Sequence, residues 1–198
     1  MSSLSSLPGK LRQAVATEFV SQPVIWVGRP NPRRVFWPAL GIWLFAIPWT
    51  AFALFWEWVV LGSLFFAHPR GAAGPPSGLM WVFALFGAPF VLVGLGMLAA
   101  PFWMAREARR TVYALSTQRL ATLIVNRATK ATSISVGDIA GTRRIEKTDR
   151  SGDLTVITGW TRDSDGDRVE MEHKLVGVPA VRQVEDKLLA LRDSRRQR

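Results

Sequence analysis

The segment TVYALSTQRLATLI, residues 111–124, decides how this chain is read. It alternates like a strand on either side of a short polar turn, 116–118, and it holds the only tyrosine of the chain, Tyr113. It follows at once on the charged cluster REARR (106–110), which closes a long apolar run. A period of two predicts half-buried β-strands, so 110–116 and 119–125 are expected to pair as a hairpin. A hairpin of a water-soluble sheet is thus predicted to begin where an apolar segment of membrane-crossing length stops.

Upstream, the chain is nearly without charge. VFWPALGIWLFAIPWTAFALFW (35–56) and GLMWVFALFGAPFVLVGLGMLAAPFWM (78–104) supply 22 and 27 uncharged residues, where about 20 suffice for a bilayer core. Between them the segment Glu57 to Ser77 ends in HPRGAAGPPS (68–77), whose glycines and prolines do not continue a helix, and this short loop makes the pair a hairpin. Helices are expected over about 35–57 and 78–104. Trp37, Trp56, Trp58, Trp81 and Trp103 fall at the ends of the runs, where indoles collect at the headgroup levels. Trp43 and Trp49 lie inside and are assigned to helix packing. Small residues at four-residue spacing, Ala84/Ala88 and Gly96/Ala100, are candidates for close helix approach. Glu57 is read as interfacial.

Charge divides around this block. Of the net +10, residues 1–34 carry five bases and Glu18, 35–105 carry Arg70 against Glu57, and 106–198 carry nineteen bases against thirteen acids. Arg29, Arg33 and Arg34 precede the first run, Arg106, Arg109 and Arg110 follow the second, and the loop between has only Arg70. The positive-inside rule then puts both termini in the cytoplasm. The start of the chain lacks the apolar core of a signal peptide.

Downstream of Arg106 the chain becomes polar, with 32 of 93 residues charged. ATSISV (131–136), TRRIEK (142–147), DLTVIT (153–158) and RVEMEHKL (168–175) read as further strands, and PAVRQVEDKLLALRDS (179–194) as a helix with Val181, Val184, Leu188 and Leu191 in one stripe. The domain organisation is therefore an N-terminal segment, 1–34, a helix hairpin, 35–104, and a strand-rich domain, 105–198. PVIWV (23–27) has the composition of an edge strand that could add to that domain's sheet.

That order, with WVGRP (26–30), FALFGAPFVLVGLGML (83–98), TVYALSTQRL (111–120) and GDLTVITG (152–159), resembles a bacterial family of small membrane proteins with two spanning helices followed by a pleckstrin-homology-like (PH-like) domain. The resemblance runs from Pro23 to about Asp193. It implies an α+β fold, a small antiparallel PH-like β-barrel or sheet closed by a C-terminal helix. It also implies a multi-pass protein of the bacterial inner membrane.

Few residues point to chemistry. Without cysteine there is no disulfide, thiolate ligand or thiol nucleophile, and His68 and His173 are far apart in sequence. Asp163, Asp165 and Asp167 imitate a calcium loop, but Arg168 stands where glycine is required and Lys174 where a bidentate glutamate is required. No catalytic residue, cofactor or metal is expected. Arg106, Arg109 and Arg110 are candidate contacts to anionic lipid headgroups. The motif residues Trp26, Gly28, Arg29, Pro30, Tyr113 and Arg119 are assigned structural roles. The expectation is a non-enzymatic, membrane-anchored binding or scaffold protein. Its partners are the bilayer, anionic headgroups and an unidentified protein, with no nucleic acid. The alternative is a small oligomeric transporter or channel subunit.

Overall fold

The computed structural model describes residues 4–66 and 77–197. In chain order these residues form α1 (Gly9–Glu18), β1 (Val24–Gly28), α2 (Pro32–Phe66), α3 (Ser77–Arg110), β2 (Thr111–Ser116), β3 (Arg119–Val125), β4 (Thr129–Ser135), β5 (Gly141–Glu146), β6 (Gly152–Arg162), β7 (Arg168–Val178) and α4 (Val181–Arg196). The fold is α+β. The chain divides into two compact units, one running to Val35 and resuming at Ala105, the other Phe36–Met104.

In the first unit the strands form two antiparallel sheets, β1-β2-β3-β4 and β5-β6-β7. They do not close into the barrel allowed for above. The reason lies between β4 and β5. Ser135 Oγ accepts from Gly137 N at 3.2 Å, starting a 3-10 turn at Val136–Asp138, and Val136 N donates to Gln118 O at 2.9 Å. The turn carries buried Ile139 inward and delivers the chain to a second sheet.

Every residue of β2 is buried, because both faces of the strand meet apolar layers. Tyr113 and Leu115 enter a core with Leu154, Val156, Leu175, Val184 and Leu188, shared by the second sheet and α4. Val112 and Ala114 enter another core with Leu11, Val15, Phe19, Val27 and Leu123, roofed by α1. Burying each Val or Leu contributes about 1.5–3 kcal/mol, so both layers matter to stability. The residues upstream of the helices thus belong to the sheet unit. β1 pairs with β2, with Gly28 opposite Tyr113, and α1 covers the outer face.

α4 buries Val181, Val184 and Leu188 of the expected stripe, and its fourth member, Leu191, packs half-buried against the same core. It begins at Val181 rather than Pro179, since Ala180 is left-handed (φ 48°) and Val181 N donates to Arg150 O at 3.0 Å.

In the second unit α2 and α3 run through Pro38, Pro48, Pro89 and Pro101 and past their expected ends. α2 continues beyond Glu57 because WVVLGSLFF (58–66) is apolar and contains no proline, Gly62 alone being tolerated within it. α3 continues through REARR, whose residues are good helix formers. Both helices are long and apolar enough to cross a membrane, with mean hydropathies of 1.7 and 2.3 over their apolar spans. Only 22% and 17% of their most apolar windows are buried, unlike the core helices of a soluble protein. The connecting stretch around HPRGAAGPPS, including Arg70 and His68, lies outside the described residues.

Trp37, Trp58, Trp81 and Trp103 are exposed. The helix seam repeats every seven residues. Ala39, Ala46, Ala53 and Val60 are buried on α2, and Gly87, Gly94 and Pro101 on α3. A seven-residue repeat keeps one stripe of each helix against its neighbour. Of the pairs expected at four-residue spacing, Ala84 is buried but Ala88 and Gly96 are exposed. Trp49 Nε1 donates to Phe90 O at 3.2 Å, and Phe36 meets Phe102 edge-on at 5.7 Å.

Candidate functional site

The motif residues come together as a brace. The Tyr113 hydroxyl accepts from Val176 N at 3.0 Å and donates to Val176 O at 3.1 Å, joining the two sheets. Burial pushes its pKa up to about 12, against the opposing effect of the Val176 hydrogen bond and with a smaller push from Asp153. The Trp26 indole lies over Gly28, where a Cβ would strike the ring. Arg29 donates to Arg109 O at 3.0 Å, capping a carbonyl in the last turn of α3. Pro30 is buried, and Asn31 N donates to Gly177 O at 3.4 Å. Gly177 has φ 66° and packs against Pro30 and Asn31, a position that suits glycine alone.

Arg119 sits elsewhere, at the other end of the sheet. It pairs with Glu18 at 2.9 Å, donates to Glu18 O, and stacks 4.8 Å over the Phe19 ring. It holds the C-terminus of α1. His173, which drew no expectation, is half-buried with its Nε2 2.9 Å from Thr122 Oγ1, and burial lowers its pKa.

The acidic turn is a hairpin. Asp163 Oδ1 accepts from Asp165 N at 3.0 Å and Asp167 N at 2.9 Å, and Gly166 takes φ 85°. Its carboxylate is occupied by backbone.

Two features remain with charge or polarity to offer a ligand. The first is a basic end of the first sheet. Arg106 and Arg109 are exposed, and Arg110 donates to Asn126 Oδ1 at 2.6 Å. No carboxylate pairs with any of the three among the described residues. The second lies between α2 and α3, where Glu57 faces Gly87 and Thr50 faces Gly94. Glu57 Oε1 and Thr50 Oγ1 are buried there with no hydrogen-bond partner. Glu57 is therefore a seam residue as well as a residue near the end of the first apolar run. An apolar cavity of about 250 Å³ beside it is bordered by Trp49, Phe52, Trp56, Phe86 and Phe90. Sequence reading weighed Glu57 alone. Its seven-residue spacing from Thr50, matching that of Gly87 and Gly94, is the signal that reveals the seam.

No protein-family model, curated protein or solved structure matches the chain.

Proposed function

We propose that the chain is a non-enzymatic binding or scaffold protein of the bacterial inner membrane, in which α2 and α3 span the bilayer and the sheet unit is a PH-like domain held at the cytoplasmic face. Both termini are cytoplasmic. Arg106, Arg109 and Arg110 meet anionic headgroups, and the domain engages a protein partner. One observation carries the reading. β1 and β2 are neighbours in one sheet, α2 starts at Pro32 just beyond β1, and α3 runs into β2 without an intervening residue. Such a domain has two short covalent ties to its anchor.

The reading is tested in native membranes. A reporter fused after Arg198 is expected to be active only inside, and crosslinking followed by mass spectrometry is expected to recover a stable partner. Outward activity of the reporter would overturn the topology.

One observation favours a second reading, a small oligomeric transporter or channel subunit. Acids inside membranes usually mark ion or substrate pathways, and Glu57 has an unpartnered oxygen on the seam. Ion flux through the purified protein in liposomes, abolished by Glu57→Gln, would support it over the scaffold.

A further inference from the structure

Strand register brings a turn remote in sequence to the end of the sheet where both long helices join. Thr111, the first residue after α3, pairs with Ile124, and Ile124 pairs with Lys130. With strands about 4.8 Å apart, Lys130 lies about 10 Å from Thr111. Arg110 then ties the last residue of α3 to the β3–β4 turn through Asn126 at 2.6 Å. The turn is closed by Asn126 N donating to Ala128 O at 3.2 Å. Arg127 and Lys130 are both exposed and, among the described residues, pair with no carboxylate.

Residues 29–34, 106–110 and 126–130 together hold eight arginines and lysines against Glu107 alone. Of these eight, Arg34 is neutralised by Asp149, and elsewhere in the unit Arg119 is neutralised by Glu18, Arg143 by Glu170 and Glu172, and Arg144 by Glu146 and Glu185. The other seven cations of the helix junction and the turn beside it pair with no carboxylate among the described residues. The segments 106–110 and 126–130 carry no aromatic residue that would stack on a nucleic-acid base, and both chain segments of the junction are continuous with apolar helix.

We propose that the β3–β4 turn, through Arg127 and Lys130, is a second contact for anionic phospholipid headgroups. Together with Arg106 and Arg109 it fixes the tilt of the sheet on the bilayer surface. The two covalent ties leave from neighbouring strands, β1 and β2, and do not by themselves set that tilt. A charged contact about 10 Å away across the sheet opposes rotation about them. The inference rests on the membrane-anchored reading above.

The chain has no cysteine, so Ala128→Cys gives a unique site for a nitroxide in the full-length protein. The labelled protein is placed in nanodiscs of phosphatidylcholine or of an equal mixture with phosphatidylglycerol, and access of a water-soluble relaxant is measured. Access is expected to fall several-fold in the anionic discs and to recover in high salt, which screens surface charge. Arg127→Gln with Lys130→Gln is expected to abolish the effect, each cation being worth about fivefold in preference for anionic lipid. A label at Ser164→Cys, on the β6–β7 turn, is expected not to respond. Equal access in both lipids overturns the inference, as does protection seen only on adding RNA. Retention in the discs through an alkaline wash shows that the anchored reading survives such a failure. Failure to incorporate would sink both.

Discussion

The Tyr113 hydroxyl is held by both backbone groups of Val176, 63 residues away, at 3.0 and 3.1 Å. One phenol satisfies a donor and an acceptor of a strand in the opposite sheet, so it acts as a bolt between sheets as well as a core residue. Tyr113→Phe keeps the ring and strands both groups, at an expected cost of about 1–3 kcal/mol. The same burial predicts a pH dependence. The folded-state pKa is raised to about 12 from 10.0, so the native state retains its proton where the unfolded chain releases it. Tyr113 therefore contributes fully below pH 10, and that contribution is lost as pH rises toward 12. Unfolding followed by tryptophan fluorescence should show this decline in the wild type. The decline should shrink in Tyr113→Phe, and an unchanged alkaline limb would refute the bolt.

His173 predicts the opposite limb. Burial beside Thr122 lowers its pKa from 6.5, so below that value the unfolded chain takes up a proton that the native state resists. Stability from this group is present above pH 6.5 and is lost as pH falls through the lowered value. His173→Gln should flatten the stability profile on the acid side of neutrality. A profile identical to wild type between neutrality and pH 5 would count against it.

Arg119 clamps the end of α1 with an ion pair, a carbonyl bond and a stacked ring. Lysine offers neither the fork nor the flat face. Arg119→Lys and Arg119→Ala are therefore both expected to loosen α1, by about 1–2 kcal/mol. Limited trypsin digestion should then cut faster at Lys10 and Arg12 while cleavage in β6 and β7 is unchanged. Uniform acceleration everywhere would mean global destabilisation instead.

What was legible in the sequence follows from how local each signal is. The alternation in 110–125 and the stripe of α4 are written in neighbouring residues, and those elements stand within a few residues of where they were read. The pairing of β1 with β2 is not local, because the chain leaves at Gly28 and returns at Thr111. Only the short apolar run of PVIWV hinted at it. α1 was missed although Leu4, Leu7, Leu11, Val15 and Phe19 recur at helical spacing, because serines, Gly9 and Gln13 dilute the stripe. The basic turn at Arg127 and Lys130 was unremarkable until register placed it beside Arg110. Small residues on the apolar helices were sought four apart, whereas the seam uses seven.

That seam gives a prediction of its own. A Cβ at Gly87 would lie 2.9 Å from Glu57 Cδ and 3.0 Å from Trp56 Cδ1, whereas one at Gly96 would meet nothing within 4 Å. Gly87→Ala should destabilise the hairpin by about 1–3 kcal/mol through overpacking, while Gly96→Ala should be neutral or stabilising. Glu57→Ala should relieve Gly87→Ala in a double-mutant cycle, since the two share one space. Thermal unfolding in detergent micelles measures all four proteins. Equal effects at Gly87 and Gly96 would mean that α2 and α3 do not meet there.

The sharpest test of the fold concerns where the sheet unit can be cut. Residues 106–198 alone include all strands but β1, yet they would expose Val112, Ala114, Ala121 and Leu123 where α1 now sits. They would also bare the edge of β2 that pairs with β1. An exposed edge beside an apolar face invites aggregation. Gly28 and Tyr113 are direct partners, with Cα atoms about 5 Å apart in an antiparallel pair. A short glycine-serine linker can therefore join residue 31 to residue 109 in place of the helices. The joined protein is expected to be soluble and monomeric by size exclusion and to melt cooperatively, whereas 106–198 is expected to aggregate. If 106–198 alone melts as cooperatively and as late as the joined form, then α1 and β1 are appendages rather than part of the core.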